Sequence, residues 1–289
     1  MELNFNPSIN LNKINFRANQ VQRNQATQQP DVFVPEDKKT YYMKELDRLF
    51  PNGELDKIYN SMGKELGIDY QPNLHFVGEG DGIMAGGYTF SQNKIFIDLQ
   101  DLLGHDTKIL GVKNGIKKQI LSPSDGIPLF IKDSLAQPFI EMHNRNGSLG
   151  YEKLITEPLS DEDKRKFTIL KLNHELVHAQ QHMIMRQTEG IGTKKILQAW
   201  VHLKPATNLV AQKQIDNQTN EYLKKTFWAD KSDNIKIPKN SPAAAMAYIW
   251  LDAVQNYPPV DSPEYKKNAL ENHAYQQSYQ YIVKNYNGW

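Results

Sequence analysis

The sequence predicts an α+β fold that is mostly helical, with a small mixed or antiparallel sheet and a disordered N-terminal tail. Three observations support this prediction. Apolar residues recur at helical spacing over much of the chain after residue 38. Two β-rich runs flank a polar turn between residues 86 and 98. Asparagine and glutamine fill 12 of the first 30 positions, which is typical of a disordered segment. The alternative for the tail is a short docking strand built from its scattered apolar residues.

The chain divides into a polar tail at residues 1–38 and one domain at residues 39–289. The domain opens with two predicted helices, which are separated by the turn at Pro51–Gly53. A strand at residues 74–77 and the hairpin at residues 86–98 follow. We expect one hairpin strand to lie at the rim of a cleft, where a peptide can add to its edge; the alternative is a plain structural hairpin.

The segments outside the hairpin are mainly helical. Proline, glycine and aspartate interrupt residues 104–157, where the pattern indicates only a short helix or strand at Pro138–Met142 and a loop at residues 144–147. Ser241 followed by Pro242 is a strong helix start, with a serine cap before a proline at the first helical position. Helices are predicted over residues 161–187, 193–228, 241–257 and 264–286.

The most informative segment is the helix at residues 161–187. Ser160 is a suitable N-cap, and acidic residues fill the first turn. Within the helix lies His174–His178, with the sequence HELVH. Residues four apart share one helix face, so both histidine rings can bind one metal ion while Glu175 reaches a water on that ion. The pattern predicts a zinc site with Glu175 as general base. The alternative is an amphipathic helix with surface histidines.

His182 lies four residues after His178 on the same face, but we do not expect it to bind the same ion. At 1.5 Å rise per residue, His174 and His182 are about 12 Å apart along the helix axis. Zinc–nitrogen bonds are only about 2.1 Å long. We expect His182 beside the ligands, in the cleft or on the surface, and the third ligand on another element. The glutamates after the motif are Glu189, Glu221, Glu264 and Glu271.

The segment His174–His178 on one helix, followed by Glu271-x-x-Ala274 on a later helix, resembles the gluzincin branch of the zinc metallopeptidases. The resemblance implies a zincin-like domain in which Glu271 is the third zinc ligand beside the two histidines. A small residue at position 274 allows the two helices to approach closely. The chain departs from the group in the long interval between the motifs and in His273, where many relatives carry an acid.

Glu271 also has a second interpretation. With Asn268 as the N-cap of the last helix, Glu271 falls at the third helical position and completes a capping-box-like pair. Asp252 and Glu189 are weaker candidates for the third ligand.

Five further residues are candidates for supporting roles. Peptide hydrolysis needs a hydrogen-bond donor for the developing oxyanion, and His273, Tyr275 and Tyr248 are candidates for that donor. The alternative for each of these three residues is that its side chain only packs against its neighbours. Asn173 and Asp252 are candidates for orienting the ligand histidines.

The composition excludes several classes of function and site. The chain has 289 residues and a formal net charge of +1, so nothing electrostatic indicates binding to nucleic acid or to an anionic membrane. It has no cysteine, which excludes disulfides, thiolate metal sites and a nucleophilic cysteine. No apolar run approaches the roughly 18 residues of a membrane span, and no secretory signal is recognised. We therefore expect a cytoplasmic location by default, and the oligomeric state is left open.

The sequence therefore predicts a zinc-dependent metalloendopeptidase that hydrolyses a peptide or protein substrate through a zinc-bound water activated by Glu175. The alternative belongs to a different class: a non-catalytic helical protein that binds a metal or another protein. The chain is rich in asparagine, glutamine and tyrosine, which fits an interaction protein as well as an enzyme. A third hypothesis is an effector peptidase that acts on one host protein.

Overall fold

The computed structural model describes residues 36–77, 86–119, 130–131, 133–145, 151–200, 235–259, 262 and 264–286, with short runs between 213 and 229. The predicted tail lies outside the described residues except for its last three positions. Those positions belong to the first helix, so the helical part begins at Glu36 and not after residue 38. Within the described ranges, no helix is both long enough and apolar enough to span a membrane.

The predicted α+β class is confirmed, since helices predominate and the strands form small sheets. The helices are α1 (Glu36–Leu49), α2 (Glu54–Glu65), α3 (Leu99–Leu103), α4 (Asp133–Arg145), α5 (Asp161–Gln187), α6 (Gly192–Trp200), α7 (Pro242–Gln255) and α8 (Ala269–Asn285). The strands are β1 (Asn73–Val77), β2 (Gly86–Thr89), β3 (Lys94–Asp98), β4 (Thr107–Lys113), β5 (Ile116–Gln119), β6 (Phe130–Ile131) and β7 (Lys153–Pro158).

Local capping signals in the sequence marked the helix starts correctly. Helix α5 has the predicted bounds, and the Ser160 hydroxyl accepts a hydrogen bond from the backbone N–H of Asp163 at 3.1 Å. The Asp163 carboxylate accepts in return from the backbone N–H of Ser160, which completes a capping box. Ser241 caps α7 in the same way by accepting from the backbone N–H of Ala244.

The predicted hairpin is confirmed and forms part of a mixed three-stranded sheet. The strand order is β1-β3-β2, with β1 parallel and β2 antiparallel to the central strand β3. Strand β2 therefore lies at an edge of this sheet, where it contacts helix α5. This contact brings the hairpin next to the histidine motif.

The sequence predicted one small sheet, and the described residues contain a second sheet of four strands as well. Strand β4 pairs antiparallel with β5, β6 and β7, all within the region that periodicity did not resolve. The signal for it was present as Asn114-Gly115, a dipeptide typical of a two-residue hairpin turn. Both residues have positive φ, 52° and 71°, as such a turn requires.

Helix α4 is longer than the short element predicted at Pro138–Met142. It runs from Asp133 to Arg145 and includes Pro138. It also includes Asn144 and Arg145, which were predicted to lie in a loop. The Asn144 carboxamide oxygen accepts a hydrogen bond from the backbone N–H of Leu154 at 2.8 Å, so the helix end is tied to β7.

Helix α5 is the central element of the main hydrophobic core. It contacts α2, α6, α7, α8 and β2, and 18 of its residues are buried. Polar as well as apolar residues of α5 are buried, so this helix carries polar groups at positions that have little contact with solvent. A smaller apolar cluster lies between α4 and the second sheet; it consists of Ile109, Ile131, Ala136, Ile140 and Leu154.

We predict that Ser160→Ala lowers the free energy of unfolding by about 1 kcal/mol, because it removes the side-chain acceptor at the start of α5. Urea unfolding followed by circular dichroism measures the change. Ser61→Ala is the matched control, since Ser61 is exposed inside α2 and alanine suits a helix interior. Equal stability of Ser160→Ala and the wild type would contradict the capping role.

Candidate metal centre

Two histidines from α5 bring their ring nitrogens together in the protein interior. His174 and His178 are one helical turn apart and are 4% and 1% exposed. Their Nε2 atoms lie 3.1 Å from each other. Both rings therefore point to a common position beside the helix, as the spacing in the sequence predicted.

Helix α8 supplies the third group. The carboxylate of Glu271 is fully buried and faces both rings. Its Oε2 lies 3.3 Å from His174 Nε2, and its Oε1 lies 3.3 Å from His178 Nε2. Within the described part of the chain, this is the only group of three or more histidine or acidic side chains arranged to hold a metal ion.

The separations between these atoms fit a metal site. Two ligands of a tetrahedral zinc ion lie about 3.4 Å apart when each bond is about 2.1 Å long. The observed separations of 3.1 and 3.3 Å are close to that value. In addition, Oε2 of Glu271 is buried and has no hydrogen-bond partner among the described residues, although a carboxylate oxygen needs one. A divalent ion bound by two imidazoles and one carboxylate would satisfy it.

The geometry distinguishes between the two interpretations of Glu271, as a metal ligand or as part of a capping-box-like pair. Asn268 does cap α8, because its side-chain oxygen accepts a hydrogen bond from the backbone N–H of Leu270 at 3.0 Å. The Glu271 side chain, in contrast, turns away from the cap towards the two histidines. The weaker ligand candidates lie elsewhere. Asp252 is exposed and accepts from Asn256, while the Glu189 carboxylate accepts from the backbone N–H of Lys239.

The charges of the three groups are strongly coupled. Burial lowers the pKa of His174 to about 4. Burial acts in the same direction on His178, but the negative charge of Glu271 outweighs it and raises the pKa of His178 to about 9. The positive charge of His178 in turn holds the pKa of the Glu271 carboxyl well below its usual range despite burial. The negative charge of Glu271 therefore favours a cation at this position.

Two residues that sequence reasoning missed orient the ligands. The fully buried Gln181 accepts a hydrogen bond from Nδ1 of His178 at 2.8 Å, which leaves the lone pair of Nε2 directed at the centre. The hydroxyl of Tyr257 donates to Oε1 of Glu271. Gln181 could have been found from its position three residues after His178 on the same helix face. Tyr257 had no comparable signal, since it lies between two helices.

The residues expected to orient the histidines do not do so. Asn173 is 1% exposed, and neither atom of its carboxamide has a hydrogen-bond partner among the described residues. Asp252 is exposed on the surface. His174 is instead positioned by the ring of Tyr275, whose centroid lies 4.5 Å from that of the imidazole.

The three proposed oxyanion donors lie in different places. Tyr275 is beside the centre, in contact with His174. His273 is behind His178, where its Nδ1 accepts a hydrogen bond from Nε2 of Gln181 at 3.0 Å. Tyr248 is away from the centre, and its hydroxyl donates to the backbone carbonyl of Glu189. Tyr275 is therefore the only one of the three that lines the metal side of the ligands.

Glu175 lies on α5 between the two histidines and is 5% exposed. Burial raises the pKa of its carboxyl to about 7, while the charge of His178 and a hydrogen bond from the backbone N–H of Tyr88 act in the opposite direction. Strand β2 can approach this closely because Gly86 has no side chain. A Cβ there would lie 2.9 Å from the Phe96 carbonyl oxygen and 3.6 Å from Oε1 of Glu175.

His182 is not a member of the metal group, as the helix geometry predicted. It is also not on the surface, because it is fully buried. Its Nδ1 donates to the backbone carbonyl of His178 at 2.8 Å, and its Nε2 accepts from the indole N–H of Trp200 at 2.8 Å. The indole also packs against Tyr257, so His182 and Trp200 support the Glu271 side of the centre.

No protein-family model matches this chain, and neither the curated proteins nor the solved structures that were searched contain a match.

We predict that the purified protein binds one divalent metal ion per chain, and that His178→Ala and Glu271→Gln each reduce the bound metal sharply, because each removes one of three ligands. Elemental analysis after reloading with zinc measures the metal content. The matched controls are His75→Ala and Glu264→Gln, which change exposed residues outside the centre. Equal metal content in Glu271→Gln and wild type would show that Glu271 is not a ligand.

A separate prediction concerns Gln181. We expect Gln181→Leu to weaken metal binding by about 10- to 100-fold, because His178 loses the acceptor that orients its ring. Competition with a chelating dye measures the affinity. Gln180→Leu is the control, since that side chain bonds the carbonyl of Leu66 on the other side of α5. If both variants bind metal as tightly as the wild type, Gln181 has no orienting role.

Proposed function

We propose that the chain is a zinc-dependent metallopeptidase. One observation carries the proposal: His174, His178 and Glu271 converge at metal-ligand distances, and Glu175 projects from the same helix beside them. Two histidines and a glutamate as ligands leave one position of a tetrahedral zinc ion for water or substrate. A second acid next to that position is the arrangement that hydrolysis requires.

The order of the motifs along the chain supports the same proposal. The segment His174–His178 lies on α5, and Glu271 with Ala274 lies on α8, which is the arrangement implied by the resemblance to gluzincins. Ala274 is fully buried, and α8 packs directly on α5. We propose on this basis that residues 39–289 form a zincin-like domain.

Bound zinc would supply a Lewis acid that lowers the pKa of a water molecule and polarises a carbonyl group. The protein would supply the proton transfers. Glu175 accepts the proton of the attacking water and passes it to the leaving amine, and its burial keeps the pKa near neutrality, where a group can both accept and donate. Tyr275 would face the reacting carbonyl from the His174 side and donate a hydrogen bond to it. His273 would act through Gln181 on His178.

Strand β2 would hold the substrate. It is an edge strand of the three-stranded sheet, and it lies against the motif helix next to Glu175. An extended peptide can add to such an edge through backbone hydrogen bonds. A peptide held there has its scissile bond close to both Glu175 and the metal ligands, so we propose a peptide or protein substrate.

We predict that Glu175→Gln retains one zinc per chain but cleaves peptides at least about 100-fold more slowly, because an amide cannot accept the proton of water. Digestion of a peptide library followed by mass spectrometry measures cleavage. Glu162→Gln is the control, since it makes the same change at an exposed position of the same helix.

Cleavage that is unchanged in zinc-loaded Glu175→Gln would overturn the proposed mechanism. Zinc binding without cleavage of any peptide by the wild type would instead favour the non-catalytic binding protein.

A further inference from the structure

Lys171 lies on the same face of α5 as the metal centre, one turn closer to the helix start. It precedes His174 by three residues and Glu175 by four, and both spacings place side chains next to each other on a helix. At 1.5 Å rise per residue, Lys171 is about 4.5 Å from His174 along the axis. The positive charge of Lys171 acts on both His174 and Glu175.

The ammonium group of Lys171 forms no ion pair within the part of the chain that the structure describes. Among the described residues, Nζ forms no ion pair and no hydrogen bond, although an ammonium carries three donors. The nearby lysines of the same helix differ: Lys164 pairs with Glu45, and Lys166 pairs with Glu162. The Nζ atom lies over the ring of Phe167, whose centroid is 5.7 Å away, in a cation–π contact.

The environment of Lys171 favours a bound anion. The side chain is half-buried, and this burial lowers the pKa of its ammonium group. Glu175, Glu271 and Asp101 are the acids whose charges act on it, yet none of them forms an ion pair with it. The Glu271 carboxylate already pairs with the two histidines and accepts a hydrogen bond from Tyr257. A cation left in this state gains most from a ligand that brings its own carboxylate.

We propose that Lys171 is a specificity-determining residue that binds a carboxylate of the peptide substrate, close to the scissile bond. The substrate class is therefore acidic peptides. The carboxylate belongs either to an aspartate or glutamate side chain or to the C-terminus of the peptide. This inference rests on the proposed peptidase function and deepens it.

The test uses the zinc-loaded full chain and a randomised peptide library, supplied once with free and once with amidated C-termini. Mass spectrometry of the products gives the residues enriched on each side of the cleaved bond. The variants are Lys171→Met, which keeps the length of the side chain, and Lys171→Glu, which reverses its charge. Lys166→Met is the control on the same helix. Metal content is measured for every sample to exclude loss of the centre.

We expect wild-type cleavage to favour aspartate and glutamate over asparagine and glutamine at one position by about 10- to 100-fold, as a hydrogen bond to a charged group allows. Lys171→Met should abolish this preference with one zinc still bound, and Lys171→Glu should shift it to lysine and arginine. Cleavage that depends on a free C-terminus would assign the carboxylate to the C-terminus, and a preference for aspartate and glutamate that persists with amidated peptides would assign it to a side chain.

Two results would overturn the inference while leaving the peptidase proposal intact. One is cleavage that shows neither a preference for aspartate and glutamate nor any dependence on a free C-terminus. The other is an acidic preference that Lys171→Met retains, in which case the lysine serves only to offset the charges of the neighbouring acids. A zinc-loaded wild type that cleaves no peptide would instead fail at the earlier step, and it would remove both proposals together.

Discussion

The buried carboxylate of Glu271 is the constraint on which the arrangement of this protein depends. A carboxylate with no exposed surface is costly unless it is paired with positive charge or satisfied by hydrogen bonds. Here it faces His174 and His178 at 3.3 Å and receives a hydrogen bond from Tyr257. Because these partners come from α5 and from the segment before α8, the charge can be buried only if the two helices pack together. The metal centre and the helix packing are therefore one structural feature.

A layer of hydrogen bonds around the centre restricts how it can rearrange. Gln181 links His178 on one side to His273 and to the carbonyl of Leu270 on the other, so it joins α5 to α8 a second time. His182 and Trp200 extend this support to α6. Side chains held by such contacts have few alternative orientations, which favours tight binding of an ion.

The two sheets differ in their relation to the centre. The three-stranded sheet places its edge strand β2 against α5, and Gly86 permits the close approach to Glu175. The second sheet packs on α4 around its own small apolar cluster. Its link to α5 includes the ion pair between Lys108 and Asp163, at the start of the helix and away from the histidines. The first sheet therefore lies beside Glu175, whereas the second sheet contacts α5 near the start of the helix.

Local information in the sequence was sufficient for the helix that carries the motif and for its two histidine ligands. Short-range geometry fixes the bounds of α5, the cap at Ser160 and the common face of His174 and His178. Each of these features depends only on residues that are close together in the chain. The hairpin at β2 and β3 followed from local pattern as well. The second sheet was missed because its apolar runs are short, although Asn114-Gly115 marked one of its turns.

Only the tertiary structure shows that Glu271 lies beside the two histidines while Asp252 and Glu189 do not. Only it shows that Gln181 contacts His178 and that Tyr257 contacts Glu271. These relations join residues that are distant in the chain, and they depend on how α8 packs against α5. No periodicity in the sequence contains that distance, because it is set by the packing of apolar side chains that are distant in the chain and by the pairing of one buried charge.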